Sequence, residues 1–331
     1  MKERLGMASE IPRSLNALGL LAWQEGRLGD ALDLHQRSRS AAVAVDDVRG
    51  IGRSLNNLAL VLTDLGDLGG AEARYVEAIE TFRALELIDF EGRALTNLGA
   101  LRMEVGDPVG AEQALMAAFD LYDRDDDPLG ELNALGQLGV ARAAQGDPES
   151  GLESLTSALE LARDMELAWE EASNLEQLAN IHVDLGSSRL ALDLYQEANT
   201  LNERLGLPYE QGANLRAQAG IQREEGNLTL AAEQLGKALS LHRDIGARAE
   251  ELWDILHLAE LAQEAGDTAS ADRWLAEGEA LAEQIAHPRA EMDLEMTRAA
   301  IASTRGDAAS VLASVARLAP LLGRAPTDVR W

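Results

Sequence analysis

Three arginines recur at equal intervals along the chain, at Arg13, Arg53 and Arg93. The planar guanidinium group donates two parallel hydrogen bonds to a carboxylate and so recognises acidic groups with a defined geometry. Each arginine falls in the first turn of a predicted helix, where a cation opposes the helix dipole, and such a break of a local rule marks a candidate for function. The row predicts a surface that binds carboxylates. The alternative is that each arginine pairs with a neighbouring acid, such as Asp47 or Glu91.

Amide side chains follow these arginines along the same predicted helices. An amide both donates and accepts hydrogen bonds, so a row of amides can hold a peptide backbone. Arginines and amides together predict a surface for an extended peptide that carries acidic groups, and the alternative is that the amides hydrogen-bond between neighbouring helices. The second half of the chain adds a tryptophan and a histidine at corresponding positions. The candidate partner-binding residues are Arg13, Asn16, Arg53, Asn57, Arg93, Asn97, Asn133, Gln137, Gln177, Asn180, Trp253 and His257.

The charge of the chain limits its partners. The 331 residues carry a formal net charge of −28, and nucleic-acid binding requires a basic face, so the composition argues against it. The N-terminal residues lack the apolar core of a signal peptide, and no stretch approaches the roughly 18 apolar residues that a membrane helix needs. We therefore expect a cytoplasmic protein whose partners are proteins or peptides, with neither nucleic acid nor membrane among them.

The sequence offers no arrangement of residues that is typical of an enzyme. It contains no cysteine, which excludes thiolate nucleophiles and cysteine-bound zinc. No two of its five histidines share a helix at metal-ligand spacing, and motifs for a serine nucleophile or a phosphate-binding glycine loop are absent. We therefore expect a non-catalytic protein with no cofactor and no bound metal.

An internal repeat of about 40 residues positions the candidate residues. Each repeat predicts two helices. In the second repeat Leu55, Leu58, Leu62 and Leu65 recur at three- and four-residue steps, which places them on one helical face. A glycine ends the first helix of every repeat, where the backbone must adopt a positive φ. These turn glycines are Gly26, Gly66, Gly106, Gly146, Gly186, Gly226, Gly266 and Gly306.

The residue after the turn glycine predicts the start of the second helix, because Asp, Ser and Asn side chains accept hydrogen bonds from the amides of the first helical turn. Small residues, such as Gly139 and Gly151, are expected where the two helices of a repeat cross at close range. All eight prolines are expected at helix starts or in loops, since proline destabilises a helix interior. The predicted N-cap residues are Asp67, Asp107, Asp147, Ser187, Asn227, Asp267 and Asp307.

The repeat resembles the tetratricopeptide repeat family. A small residue after leucine (Ala59), the turn glycine (Gly66), an alanine in the second helix (Ala71) and a large aromatic residue beyond it (Tyr75) match the family pattern. The repeat has about 40 residues in place of the family's roughly 34, so the helices or the connections between repeats must be longer. The resemblance implies an all-α, right-handed α-solenoid of about eight helical hairpins, a single domain over residues 1–331, with a concave groove lined by the first helices.

The resemblance also implies a function: a scaffold that binds a protein or peptide in the groove, as the sensor or regulatory region of a larger bacterial signalling protein. Two alternatives stay open. One is self-association through the ends of the array, and the other is an accessory array that gates an attached catalytic domain such as an ATPase or a protease. Residues 1–6 align with the end of a second helix, and Trp331 falls where a first helix would begin, so we expect a segment of a longer protein.

Overall fold

The computed structural model describes the backbone of residues 2–322 and the side chains of residues 10–321. Within that range the chain forms sixteen α-helices and no β-strand, which confirms the all-α fold predicted from the sequence. Trp331 lies outside the described residues. The helices are α1 (Lys2–Gln24), α2 (Leu28–Ala44), α3 (Val48–Asp64), α4 (Leu68–Ala84), α5 (Ile88–Glu104), α6 (Pro108–Arg124), α7 (Pro128–Ala144), α8 (Pro148–Asp164), α9 (Ala168–Asp184), α10 (Ser188–Leu205), α11 (Pro208–Glu224), α12 (Leu228–Ile245), α13 (Arg248–Glu264), α14 (Thr268–Ile285), α15 (Pro288–Thr304) and α16 (Ala308–Leu322).

The described chain divides into two compact units. The N-terminal unit spans residues 2–166 and contains α1 to α8, and the C-terminal unit spans residues 167–322 and contains α9 to α16. In each unit the helices pack in consecutive pairs, from α1 on α2 to α7 on α8, and from α9 on α10 to α15 on α16. Each pair also packs on the next pair of its unit, which is the arrangement of a tetratricopeptide-repeat-like α-solenoid.

Long helices account for the length of the repeat. In the second repeat α3 and α4 have 17 residues each. Residues 45–47 connect α2 to α3 and residues 65–67 connect α3 to α4, so both connections are short turns. The extra length relative to the family's usual unit of about 34 residues therefore lies in the helices, where it adds apolar surface that neighbouring repeats can bury.

The turn inside each hairpin has the predicted structure. The turn glycines adopt φ values between 69° and 86°, including 77° at Gly66. Asp67 Oδ1 then accepts a hydrogen bond from the backbone N–H of Gly70 at 3.0 Å and so caps α4. The aspartates of four later repeats cap their helices in the same way, whereas Ser187 and Asn227 form no side-chain cap.

Two prolines and one leucine depart from the sequence expectations. Pro12 lies inside α1, because that helix begins at Lys2 and continues without the turn that separates the later repeats. Pro320 lies inside α16, near its C-terminal end. The expectation that prolines occur only at helix starts or in loops is therefore wrong for these two. Leu65 is 42% exposed because it follows the last residue of α3 and leaves the buried face.

Small residues allow the paired helices to approach closely. A Cβ atom added at Gly139 would lie 2.8 Å from the backbone oxygen of Gly151, and a Cβ at Gly151 would lie 2.8 Å from the oxygen of Gly139. The backbones of α7 and α8 therefore meet at these glycines, as the sequence predicted. Each unit buries apolar side chains around such crossings, with Leu55 at the centre of one core and Ile255 at the centre of another. None of the described helices is both long enough and apolar enough to span a membrane.

Candidate partner-binding site

The first helices of the N-terminal unit lie side by side, since α1 contacts α3, α3 contacts α5, and α5 contacts α7. A small cleft opens among α1, α3 and α5. Arg13, Arg49 and Arg53 line it together with Asn16 and Phe90, and we call it the arginine cleft. The fold thus brings together two of the predicted arginines and one of the predicted asparagines.

The predicted arginines of α3 and α5 do not form ion pairs. Arg53 and Arg93 have no carboxylate oxygen within 4.0 Å among the residues that the structure describes. The acids that the alternative interpretation assigned to such arginines interact elsewhere: Asp47 caps the start of α3, and Glu91 accepts a hydrogen bond from Arg83 Nε at 2.8 Å. The pairing that would make the arginine row purely structural is therefore absent for these two residues.

The position of the row within its helices corrects one expectation. Because α1 begins at Lys2, α3 at Val48 and α5 at Ile88, none of the three arginines lies in the first turn: Arg13 lies well inside α1, and Arg53 and Arg93 lie in the second turn of their helices. The helix dipole acts mainly within the first turn, so it opposes these cations less than the sequence suggested. The lack of a carboxylate partner, and not the helix dipole, therefore distinguishes Arg53 and Arg93.

Phe90 organises the arginine cleft. The Cζ atoms of Arg49 and Arg53 lie 5.9 Å and 6.0 Å from the centroid of its ring, within the range of cation–π attraction. Arg13 lies 3.6 Å from Glu10, and both side chains are 65% exposed, so solvent screens this pair strongly. The cleft therefore presents three guanidinium groups, none of which is tightly bound to a carboxylate, beside one lining acid, Asp47, which caps α3.

The asparagines form a continuous chain of hydrogen bonds across α1, α3 and α5. Asn57 Nδ2 donates to Asn16 Oδ1 at 3.2 Å, and His35 Nδ1 donates to the same oxygen at 2.8 Å. Asn97 Nδ2 donates to Asn56 Oδ1 at 3.2 Å, and Asn56 Nδ2 donates to Asn57 Oδ1 at 3.4 Å. The hydrogen bonds between neighbouring helices, which the alternative interpretation predicted, are present for Asn16, Asn57 and Asn97. Burial lowers the pKa of His35 to about 4, so it is neutral at pH 7.

Two further predicted amides, Asn133 and Gln137, lie on α7. Asn133 is exposed and donates to the backbone oxygen of Leu129 at 2.9 Å. Gln137 Oε1 is buried and has no hydrogen-bond partner within the described part of the chain. An unpartnered buried acceptor is unfavourable unless something else donates to it, so Gln137 is the better placed of the two for a ligand.

A larger cleft of about 450 Å³ opens between α11 and α13 in the C-terminal unit. Arg216, Gly220, Arg223, His257 and Glu264 line it, and we call it the α11–α13 cleft. Of the predicted residues it contains His257. A glycine inside a helix leaves room for a ligand, and a Cβ atom at Gly220 would meet nothing within 4 Å.

Every arginine of the α11–α13 cleft is paired with acids. Arg216 Nε lies 2.7 Å from Asp254 Oδ1, and its Nη1 lies 2.6 Å from Glu250 Oε2. Desolvation lowers the pKa of Arg216, but these two carboxylates outweigh it and hold the pKa above its usual value. Arg223 bonds to Glu264, with 2.9 Å from Nε to Oε2, and this hydrogen bond likewise raises its pKa. The cleft is therefore neutralised from within.

The other predicted residues of the C-terminal unit are engaged in hydrogen bonds, one of them between α13 and α15. Trp253 Nε1 donates to Asp293 Oδ2 at 2.9 Å, and His257 Nδ1 donates to the backbone oxygen of Trp253 at 2.7 Å. On α9, Asn180 Nδ2 donates to Gln177 Oε1 at 3.5 Å. Gln177 and Asn180 do not line the α11–α13 cleft, so the structure does not unite them with Trp253 and His257.

Sequence reasoning missed several lining residues, although signals for some were present. Arg49 stands four residues before Arg53, which is the spacing of neighbours on one helical face. Gly220 is a glycine inside a predicted helix, away from the turn register. Arg216 replaces the amide that Asn16 supplies at the same repeat position. Only the folded structure shows which of them meet a carboxylate.

The stacked two-helix repeats of both units have the arrangement of tetratricopeptide-repeat-like arrays. Residues 10–84 match the family model described as tetratricopeptide repeat, which confirms the resemblance found in the sequence. A search of curated protein sequences gives no significant match.

Solved structures with the same fold share little sequence with this chain. A signal transduction ATPase with numerous domains and a tetratricopeptide repeat sensor, from Pyrococcus horikoshii, aligns with a TM-score of 0.69 at 16% identity, over 95% of this chain and 48% of that one. The apo quorum sensor NprR from B. thuringiensis aligns with a TM-score of 0.61 at 17% identity, over 85% of this chain and 81% of that one. BtubC (BKLC) from P. vanneervenii aligns with a TM-score of 0.59 at 18% identity, over 66% of this chain and 92% of that one. At these identities the likeness concerns the fold alone.

Proposed function

We propose that this chain is a protein-interaction scaffold whose N-terminal unit binds an extended peptide segment carrying acidic groups. The arginine cleft, extended along the first helices to Arg93, is the binding surface. Guanidinium groups bind the carboxylates, and amide side chains such as Gln137 bind the peptide backbone. The asparagine chain from Asn16 to Asn97 fixes the spacing of α1, α3 and α5, and so the spacing of the arginines.

One observation carries this proposal: Arg53 and Arg93 have no carboxylate partner within the described residues of a chain that has 57 acidic and 29 basic residues. With acids in such excess, most arginines of both units find one. A guanidinium that pairs with none of these acidic residues is suited to bind an acidic group of a partner. The net charge of −28 repels acidic partners at long range, so the arginines give selectivity at the surface more than speed of association.

The same proposal places the chain in the sensor or regulatory region of a cytoplasmic bacterial signalling protein. Support comes from the fold neighbours, since one is an ATPase with a tetratricopeptide repeat sensor and another is a quorum sensor. This chain covers 48% of the ATPase, so the match leaves room for further domains in a longer protein.

The test compares affinity capture by the native chain and by the double variant Arg53→Ala with Arg93→Ala, with captured proteins identified by mass spectrometry. We expect partner recovery to fall about tenfold or more, because each lost bidentate contact contributes on the order of 1.4 kcal/mol. Circular dichroism should show an unchanged helix content, since both side chains lie outside the core.

The matched control is Arg37→Ala with Arg124→Ala, which removes the same charge from exposed positions on second helices of the same unit. This control should retain capture. Undiminished capture by the first variant, or an equal loss in the control, would contradict the proposal, because either result means that net charge or another surface governs binding.

Self-association is a second candidate function, supported by one observation. The last described helix, α16, exposes Leu312 at 70% and Val315 at 52%. Exposed apolar side chains on one helix favour association with another apolar surface. Sedimentation equilibrium should then show dimers that Leu312→Ser with Val315→Ser converts to monomers, and a monomeric native chain at high concentration would exclude this function.

A further inference from the structure

A third cleft, of about 690 Å³, opens between the second helices α10 and α12, with α11 between them. Five amide side chains line it beside three leucines (Leu215, Leu230 and Leu241), and we call it the amide cleft: Gln196, Asn199, Gln211, Gln218 and Gln234. All of these residues belong to the C-terminal unit. The cleft shares none of them with the arginine cleft or with the α11–α13 cleft.

Gln218 is a polar residue at a position that the repeat reserves for the core. It is 6% exposed. An amide is a poor substitute for an apolar side chain at such a depth unless its hydrogen bonds are satisfied. A polar side chain that breaks the repeat pattern in the interior is a candidate for function. The equivalent position carries a buried leucine in five other repeats, namely Leu58, Leu98, Leu138, Leu178 and Leu258.

The hydrogen bonds of Gln218 are only partly satisfied. Gln234 Nε2 donates to Gln218 Oε1 at 3.1 Å. Gln218 Nε2 and Gln234 Oε1 are buried and have no partner in the described part of the protein. If the oxygen and nitrogen of both amides are exchanged by a flip, the pair still leaves one donor and one acceptor. Asn199 Oδ1 adds a further buried acceptor without a partner, so the cleft offers both kinds of hydrogen-bonding group.

The charges of the lining select for an uncharged ligand. Glu203 and Lys237 are the charged residues of the lining, and their formal charges cancel. This balance is unusual in a chain with a net charge of −28. Thr200 and Ser240 add hydroxyl groups, which donate and accept hydrogen bonds without a net charge. The lining therefore suits a ligand that offers uncharged hydrogen-bond donors and acceptors.

We propose that the amide cleft binds an extended peptide segment with uncharged side chains. A peptide group carries one N–H donor and one C=O acceptor, which complement the free oxygen of Gln234 and the free amide of Gln218. The hydroxyl and amide groups around this pair bind polar side chains such as Ser, Thr, Asn and Gln. This second site is independent of the arginine cleft, which binds acidic groups and lies in the other unit.

The probe is a library of random peptides about 12 residues long, each of which spans roughly 40 Å when extended. The library is selected on the native chain, and the enriched peptides are synthesised for fluorescence anisotropy. We expect enrichment of uncharged sequences rich in Ser, Thr, Asn and Gln. Gln218→Leu should weaken their binding at least tenfold while it raises or preserves the melting temperature, because it restores the leucine of the repeat.

Gln36→Leu is the matched control. Gln36 occupies the same repeat position as Gln196 of the amide cleft and is exposed, but it belongs to the N-terminal unit. This variant should bind the selected peptides as the native chain does. A second variant, Gln234→Leu, should weaken binding like Gln218→Leu, because it removes the other half of the amide pair.

Selected peptides that bind Gln218→Leu and Gln234→Leu as tightly as the native chain would overturn the proposal, and so would a selection that enriches nothing. A glycan array serves as the second arm, and glycan binding that both variants abolish would overturn the peptide assignment. The double variant Arg53→Ala with Arg93→Ala should retain the uncharged peptides. The failure of this inference and the failure of the arginine-cleft function therefore give different results.

Discussion

The arginines of the arginine cleft and those of the α11–α13 cleft have different partners. In the arginine cleft of the N-terminal unit, Arg49 and Arg53 approach the ring of Phe90 and have no carboxylate within ion-pair distance among the described residues. In the α11–α13 cleft of the C-terminal unit, Arg216 and Arg223 each pair with two acids. The helices that carry Arg53 and Arg216, α3 and α11, are both first helices, each of its own repeat.

The two clefts differ in the carboxylates available to their arginines, and under the proposed function this separates arginines that hold helices together from arginines that bind a ligand. A guanidinium that bridges two first helices holds them together, but its carboxylates then compete with any acidic ligand. An aromatic ring alone leaves the hydrogen-bond donors of a guanidinium available, but Arg216 also lies 5.5 Å from the centroid of the Trp253 ring, so the carboxylates and not the ring distinguish the two clefts. The presence of acids on the next first helix makes the difference. For Arg216 of α11, α13 supplies Glu250 and Asp254.

The two fully buried histidines repeat this contrast. In the N-terminal unit His35 donates to Asn16, an uncharged partner, whereas in the C-terminal unit His242 Nδ1 lies 2.6 Å from Asp254 Oδ2. Asp254 thereby joins His242 to Arg216 in one buried network. The buried histidine of the N-terminal unit therefore has an uncharged partner, and that of the C-terminal unit faces a carboxylate.

The largest effect should come from removing the shared carboxylate. Asp254→Ala leaves the guanidinium of Arg216 and the ring of His242 without their buried partner, which typically destabilises a protein by about 3–5 kcal/mol. Urea denaturation should show this loss as a lower midpoint. Glu264→Ala removes a half-exposed acid from the same cleft and should lower stability by about 1 kcal/mol or less. Equal effects of the two variants would mean that the buried network has no special weight.

The stability of the N-terminal unit should fall in acid because of its buried, neutral His35. Burial lowers the pKa of His35 from 6.5 to about 4, so the folded state resists protonation that the unfolded state accepts. The stability from this site is fully present above pH 6.5 and is lost as the pH falls towards 4, and the loss should be about 2 kcal/mol at pH 5. Urea midpoints between pH 7 and pH 4.5 measure it.

His35→Leu is the control, because it removes the titrating ring and keeps an apolar side chain of similar size. Leu115 occupies the equivalent repeat position and packs against Gly99 as His35 packs against Gly19. The variant should lose less stability in acid than the native chain. Identical acid profiles would show that His35 does not carry the expected pH dependence.

Two glycines of α11 should respond in opposite ways to alanine. A Cβ atom at Gly212 would lie 2.4 Å from Nε2 of the buried His242, so Gly212→Ala should lower the unfolding free energy by about 1 kcal/mol despite the better helix propensity of alanine. Gly220→Ala meets no atom within 4 Å and should raise it by about 0.5–1 kcal/mol. Urea midpoints compare the two variants, and a stabilising Gly212→Ala would show that His242 can move freely.

Much of the fold follows from residues that recur in register. The roles of Gly66 and Asp67 can be predicted from the sequence, because a positive φ and a capped helix start depend on local chemistry. The turn between repeats has a second left-handed residue, which the sequence hides because it is glycine only at Gly206 and Gly246. In the other described repeats non-glycine residues adopt the same conformation, namely Asp46, Glu86, Asp126, Glu166 and Ala286.

The sites were less predictable than the fold, for a physical reason. Arg216 and Asp254 are 38 residues apart, and Arg216 and Glu250 are 34 apart, so neither pair follows the register of the repeat. Such contacts depend on how one helix packs across the next, which residue spacing alone does not specify. For the same reason the sequence left open whether Asn57 and Asn97 bind a partner or each other's helices, and hydrogen bonds between helices are what the folded chain shows.

The smallest effect on stability should come from the residues with the largest proposed effect on binding. Arg53→Ala with Arg93→Ala removes two guanidiniums that have no ion pair within the described chain, so the unfolding free energy should change by about 0.5 kcal/mol or less. Arg216→Ala should instead lower it by about 3 kcal/mol, because it leaves Asp254 buried beside a lost partner. Urea midpoints again provide the measurement. A large loss of stability in the double variant would mean that the N-terminal arginines also stabilise the stack of helices. The contrast between the two clefts would then be one of degree, because the arginines of both would hold helices together and neither set would be reserved for a partner.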